Sequence, residues 1–474
     1  MAWASVVSLE QVSGLRRAGY DRAVPGRRSL LMGFVVVAVA VAFADSSIVV
    51  LALPELYGRF DTTIEGVSWV ITAYNASVAL VALALVLIVH RWRAAYVLAG
   101  GLATFIVASI ACALAGSLDF LIAARCVQGA GAALLLAGAL PVLAALAGSA
   151  ARGGAMWTLA GTFGAALGPA LGGVVTQLFD WRAIFAVQAP LAALGLIAAL
   201  RAPSASLLEE GWRPSLARTV PANVCLGLVF GALVGVLFLS VLLVITGWGY
   251  SPLGGAAIVS VLPAATLATR RLAPQLGSLS AVWSGAGLLA LGLLVLAFLP
   301  TASVVRLTAG LVLCGIGLGL AVPVLSDAAL DLGAGLTRSG TLTIGVRHLG
   351  LVLALAVIAP ILAAQLPSAG HQVTLRATSV LLDAPIGLGT KVPVALGVAA
   401  ELRKARAGEV PDVSKPFDEH GARSDSRVAA VRDDVVATIE NAITRSFRVS
   451  FLFAAALAAA ALLVAVALRG RLLG

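Results

Sequence analysis

Twelve apolar stretches, each long enough to cross a bilayer as a helix, divide this chain, and nothing else limits its fold as strongly. A helix rises 1.5 Å per residue and needs about 20 apolar residues to span the hydrocarbon. On that criterion the sequence predicts spans at 29–53, 66–89, 95–117, 119–147, 154–178, 183–200, 222–246, 253–270, 280–300, 304–326, 340–365 and 448–468. Within lipid every backbone N–H and C=O must be paired inside the structure, which leaves helical bundles and closed barrels. The alternating pattern of a barrel strand is absent, so the expected fold is an all-α polytopic membrane bundle. Composition agrees: 11% of the 474 residues are charged, against roughly 25% in soluble domains. The 50 glycines fit closely packed membrane helices.

The net charge of +10 sits mostly in short loops. Arg16, Arg17, Arg22, Arg27 and Arg28, then His90 to Arg93, Arg152, Arg201 to Arg218, Arg270 with Arg271, Arg338, and Arg469 with Arg471 all fall on one side of the alternating spans. The opposite short loops hold Arg59, Arg182 and Arg306. Lys and Arg accumulate on the cytoplasmic side, so both termini are expected inside a plasma (inner) membrane. The same rule accounts for the positive charge without nucleic acid. The expected organisation is a cytoplasmic tail (1–28), a six-helix half (29–200), a cytoplasmic linker (201–221) and a second six-helix half (222–474). Residues 367–447 form a polar extracytoplasmic insert between the last two spans. In the insert, 392–408 has helical periodicity, 409–426 reads as loop, and Val431, Val435, Ile439, Ile443 and Phe447 recur at i, i+4. That stripe either lies on the membrane surface or covers the bundle. A short repeat, "GAGAALLLAGALPVL" at 129–143 and "GIGLGLAVPVL" at 315–325, falls in the fourth and tenth spans, as two parallel six-span halves require.

Asp45 interrupts the first span in "FADSSIVVLALP". A carboxylate there costs about 3 kcal/mol on insertion scales, and intramembrane acids generally mark a function. It lies about nine residues, or ~14 Å, from the outer end of its span. Arg125, the only basic residue within the fourth span, lies at similar depth. A nearby guanidinium favours the ionised acid while burial opposes it, a balance suited to a proton switch. Asp45 and Arg125 are therefore the candidate proton-coupling pair. Trp69, Thr72, Tyr74, Asn75, Gln128 and Arg347 are the candidates for a substrate cavity. Arg347 either faces that cavity to receive an anionic group or caps a neighbouring helix. His348 reads as a structural hydrogen-bonder. In the fifth span Gly161, Gly168, Gly172 and Gly173 remove side chains along one side, and Pro169 removes a backbone donor, permitting close contact and a bend. Cys112, Cys126, Cys225 and Cys314 read as small buried hydrophobes, with no metal-ligand or disulfide spacing.

Four stretches resemble the major facilitator superfamily, and within it the drug:proton antiporters that usually have fourteen spans. "ADSSIVVLALP" is similar to the first-span motif of that branch, "LIAARCVQGAGAA" to its fourth-span motif, "GTFGAALGPALGGVV" to its fifth-span antiporter motif, and "GYSPLGGAAIVSVLP" to the start of the helix pair after its insert. The resemblance implies two six-helix halves rocking around a central site, with the fifth-span motif as a hinge that limits leak. It implies a single chain that moves small amphipathic or drug-like molecules, with the proton gradient as energy source and no bound cofactor. This chain has twelve spans rather than fourteen. It also departs at the loop after the second span, where "LIVHRWRAA" places Val89 at the position of the family's Asp, and at "RLAPQLG", where Pro274 stands there.

No GxxxxGK[ST] phosphate loop is present, and no nucleophile with a base at recognisable spacing, so neither ATP-driven transport nor an enzyme is expected. A facilitator or importer of one solute, with Asp45 structural, is a competing reading. So is a membrane scaffold whose external segment binds an envelope partner.

Overall fold

The computed structural model describes residues 25–88, 92–202, 216–330, 335–404, 413–422 and 425–467. The tail (residues 1–24), His90 and Arg91, and most of the 201–221 linker lie outside the described residues. Helix α1 (Pro25–Ile48) continues through a tight turn, Val49–Ala52, into a short helix Leu53–Arg59. Then follow α2 (Ile64–Ile88), α3 (Ala94–Ala113), α4 (Leu118–Ala147), α5 (Ala150–Leu178) and α6 (Trp181–Arg201). The second series is α7 (Leu216–Val241, prolonged by a π-helical stretch Leu242–Gly247), α8 (Pro252–Val259 and Val261–Thr269), α9 (Ser278–Ala297), α10 (Val304–Leu330) and α11 (Leu336–Asp383). It closes with α12 (Leu388–Lys404), α13 (Ser414–Glu419), α14 (Ser426–Ser446) and α15 (Arg448–Ala467). Eleven of these are long and apolar enough to cross a membrane, and α5, bent by 40°, makes the twelfth. The protein is a multi-pass integral membrane bundle.

Short polar residues set several span starts. Ser117, Ser149, Asp180 and Ser251 each accept a backbone N–H from the first turn of α4, α5, α6 and α8, supplying partners that a helix end otherwise lacks. Gly148, at φ 69°, ends α4 in the left-handed conformation that permits the sharp turn into α5.

Helix pairing shows the internal repeat. In the first series α1 packs on α5 and α6, α2 on α4, and α3 on α4 and α6. In the second, α7 packs on α11 and α15, α8 on α10, and α9 on α10 and α15. The fourth- and tenth-span motifs occupy equivalent contacts. A Cβ on Gly131 would lie 2.6 Å from the backbone N of Phe105, and one on Gly317 would lie 2.6 Å from that of Leu289. Only glycine lets those backbones approach so closely. The two series meet chiefly through α2 against α11 and α5 against α8. We call the end of the bundle carrying Arg152 and Arg201 the basic face.

The opposite face is capped by the insert. Helix α11 does not stop with its span near residue 365 but runs on to Asp383. Ala377 and Leu381 of this extension are buried together with Val394 and Val398 of α12, Phe417 of α13, and Val428, Val431, Val435, Ile439 and Ile443 of α14. The i, i+4 stripe of α14 therefore covers the bundle and does not lie on lipid. Trp248 Nε1 donates to Thr444 Oγ1 at 2.9 Å, and the Ala302 amide donates to Asn441 Oδ1 at 2.7 Å, pinning α14 over the ends of α7 and α9. Helix α13 lies inside the stretch 409–426 that its Pro, Gly and charge content marked as loop.

Candidate functional site

Asp45 and Arg125 touch, and neither reaches solvent. One Asp45 oxygen, Oδ2, accepts from Arg125 Nη1, and the other, Oδ1, accepts from Gln188 Nε2 at 2.7 Å. Arg125 also donates from Nη1 to Gln128 Oε1 at 2.6 Å and from Nε to the Val70 carbonyl at 3.0 Å, while its Nη2 has no partner. Gln128 Nε2 donates to Ser109 Oγ at 2.9 Å and to Gln188 Oε1 at 3.1 Å. The guanidinium lies over the Tyr74 ring at 4.2 Å. Five helices of the first half thus converge on one sealed polar cluster. Charge-assisted bonds of this kind are about twice as strong as neutral ones. Removing either charge would strand the other in a low-dielectric interior.

Sequence patterns missed Gln188 and Ser109. Each is an isolated polar side chain in an apolar span, and that isolation is the one signal that could have found them.

A central cavity lies between the halves, with about 110 Å³ of solvent-accessible room. Its walls come from α1 (Phe43, Ser46, Ser47), α5 (Trp157, Gly161, Pro169), α7 (Phe230), α8 (Thr266, Arg270), α10 and α11 (Arg347). Asp45 sits one layer behind this wall, flanked by residues that form it.

Of the six residues expected to line the cavity, only Arg347 does so. Tyr74 donates its hydroxyl to the Ala42 carbonyl at 2.8 Å, Asn75 accepts from Ser46 Oγ at 3.0 Å, and Thr72 donates to the Ser68 carbonyl at 3.0 Å. These three and Gln128 are spent on interhelix and intrahelix bonds within the buried first half. Trp69 is 54% exposed on the outer side of α2, where an amphipathic indole suits a membrane–water interface. Cys126 is also exposed, unlike the other three cysteines. His348 is buried, with Nδ1 at 2.9 Å from the Ile344 carbonyl and its ring stacked on Phe43.

The fifth-span glycines are contact points. A Cβ on Gly168 would lie 2.0 Å from Ser47 Oγ, one on Gly172 would lie 2.5 Å from the Ile48 carbonyl oxygen, and one on Gly161 would press on the Phe43 ring at 2.8 Å. Gly173 faces the other half instead, with Ala256 Cβ of α8 only 2.1 Å from where its Cβ would be. Pro169 lacks the N–H that would normally bond the Ala165 carbonyl. Ser47 Oγ supplies that donor from α1, at 3.1 Å. The glycine–proline segment is thus keyed to α1 over most of its length and to α8 at its far end.

The profile described as Major Facilitator Superfamily matches residues 35–355. A methylenomycin A resistance protein of Streptomyces coelicolor is 32% identical over 252 residues, covering 52% of this chain and 51% of that protein. A second, from Bacillus subtilis, is 34% identical over 175 residues, 36% of each chain. Multidrug resistance protein Stp of Mycobacterium tuberculosis is 32% identical over 202 residues, 41% of this chain and 37% of that one. The matches thus span from about a third to a half of the curated relatives' length. Among solved structures, a bacterial homologue of the human lysosomal transporter Spinster, inward-facing and unoccupied, superposes with TM-score 0.63 at 14% identity, covering 95% of this chain and 99% of that one. The D-xylose–proton symporter superposes with TM-score 0.57 at 15% identity, over 69% and 89%. The paired six-helix series, the cavity between them and the family match together place this chain: it belongs to the Major Facilitator Superfamily, the transporter family whose members include the drug-resistance proteins it resembles.

Proposed function

We propose that this transporter exports small amphipathic molecules in exchange for protons, by alternating access of the central cavity, from a plasma membrane in which both termini are cytoplasmic. The observation that carries the reading is the Asp45–Arg125 pair, sealed one layer behind a cavity wall that both halves contribute. Protonating Asp45 would cancel the charge that holds Arg125 and free a guanidinium with one unpaired nitrogen already present. Such a change gives the first half two arrangements, and two arrangements are what coupling requires. The names of the relatives, resistance proteins for methylenomycin A and for multiple drugs, support export. Ser46, which lines the cavity and donates to Asn75, is the nearest polar step between cavity and carboxylate along the chain.

The test is proton-linked efflux from inverted vesicles, wild type against Asp45→Asn. Loss of coupling with retained substrate binding supports the reading. Unchanged, gradient-driven efflux in the variant overturns it. A second reading, facilitated movement of one solute without protons, is favoured by one observation: both Asp45 oxygens are already bonded, as a static packing network would have them. Under that reading, efflux in wild type ignores the pH gradient.

A further inference from the structure

We infer that the central cavity selects organic anions, with the Arg347 guanidinium as the subsite for a substrate carboxylate; this rests on the transport reading and names its substrate class. Two charged side chains line the cavity, Arg347 and Arg270, and both are cations. Among the described residues no aspartate or glutamate lines it. Of the two acids adjacent in sequence to lining residues, Asp45 is behind the wall with both oxygens engaged by Arg125 and Gln188, and Asp327, next to Ser326, is not part of the lining. A cationic amphiphile would meet two like charges there and no counter-charge.

Arg347 is held in a particular way. Its guanidinium carbon lies 3.8 Å from the centre of the Phe230 ring and 4.3 Å from that of Phe43, one ring from each half. Rings take the faces of a planar guanidinium and leave its N–H edges free, and those edges match a carboxylate in bidentate fashion. Among the described residues no ion pair or hydrogen bond involves Arg347, its Nε is buried without a partner, and the polar side chains near it are Tyr74 and His348, neither of them an acid. Arg125, a fully buried guanidinium, has by contrast an acid, an amide and a carbonyl as acceptors. A cation left unpaired in a membrane interior is costly unless a ligand completes it. The rest of the wall, with Phe43, Trp157, Phe230 and Leu351, supplies an apolar surface for the body of the ligand.

The test uses three probes that share one body: dansylglycine (carboxylate), dansylglycinamide (neutral) and dansylcadaverine (ammonium). Binding to the purified full chain in lipid nanodiscs is read from dansyl emission. The expectation is that dansylglycine binds at least about tenfold more tightly than the amide, as for a charge-assisted bidentate contact, and that dansylcadaverine binds weakest. Arg347→Gln abolishes the carboxylate preference, and Arg347→Lys, which keeps a cation, retains part of it; monodisperse elution of both variants checks folding. No binding of dansylglycine, equal binding of the three probes, or an undiminished preference in Arg347→Gln overturns the inference. Movement is measured separately in proteoliposomes. A carboxylate preference in binding without pH-driven movement removes the transport reading and leaves the anion site; pH-driven movement of the amine in preference to the carboxylate does the reverse.

Discussion

Ser47→Ala should destabilise this protein chiefly because Pro169 is present. Pro169 has no N–H, so the Ala165 carbonyl loses its partner one turn back in α5, and Ser47 Oγ donates to that carbonyl at 3.1 Å. Truncating Ser47 removes the bond and leaves the carbonyl short of a donor. A net hydrogen bond contributes about 0.5–1.5 kcal/mol, and an interhelix bond in a membrane averages ~0.6. Ala165 borders the cavity, so water can replace part of what is lost. The expected cost is therefore about 1 kcal/mol. In Pro169→Ala the new backbone N–H can bond Ala165 within the helix, and Ser47→Ala should then cost little. The single Ser47 proton is shared with the Ala44 carbonyl at 3.0 Å, and that contact is lost in both backgrounds and cancels in the double-mutant cycle. Gly168→Ala gives an independent control: its Cβ would lie 2.0 Å from Ser47 Oγ, so Ser47→Ala should partly rescue it. Unfolding in mixed micelles, followed by tryptophan fluorescence, gives the four stabilities. Additive effects of Ser47→Ala and Pro169→Ala, within about 0.3–0.5 kcal/mol, would refute the reasoning.

Asp45→Asn leaves Arg125 without its counter-charge in a fully buried site, and about 3–5 kcal/mol of stability should be lost; a double Asp45→Asn, Arg125→Gln variant should recover part of it in the same unfolding assay without recovering proton-linked efflux. Gly131→Ala and Gly317→Ala each drive a Cβ to 2.6 Å from a backbone nitrogen, and each should cost about 1–3 kcal/mol. Similar losses at the two equivalent sites would express the repeat, and a negligible loss at either would contradict the close contact. Ile439→Ala removes the centre of the α14 stripe at a fully buried position and should cost about 2–5 kcal/mol; protease cutting near α14 should rise while efflux by the remaining bundle is measured in parallel.

Much of the architecture is legible because membrane spans obey a length rule. The order of α1 to α11 and the final span α15 follow from runs of about 20 apolar residues, and the stripe of α14 from its i, i+4 spacing against a polar background. Within the membrane that second rule fails. The outside of a span meets lipid and its inside meets other helices, and both are apolar. Chemical type alone therefore points Trp69 and Cys126 inward, whereas the fold turns them outward, and it sends Tyr74, Asn75 and Gln128 to a cavity, whereas Tyr74 and Gln128 contact Arg125 and Asn75 bonds Ser46. The depth of Asp45 and Arg125 could be counted along their helices, but Gln188, 143 residues from Asp45 in sequence, could not be linked to it by any local pattern.

The sequence by itself determined a polytopic helical bundle of two related halves, because burying backbone polar groups in lipid admits few alternatives. It also determined which charged residues lie within the membrane spans. Tertiary structure alone decided how those charges are used. Packing of α1, α4 and α6 gave each Asp45 oxygen a donor and buried the carboxylate behind the cavity wall. Phe43 and Phe230 from opposite halves meet on Arg347, which has no acid partner among the described residues. Partner choice among buried polar groups depends on the rotation and approach of helices far apart in sequence, and no local pattern records either.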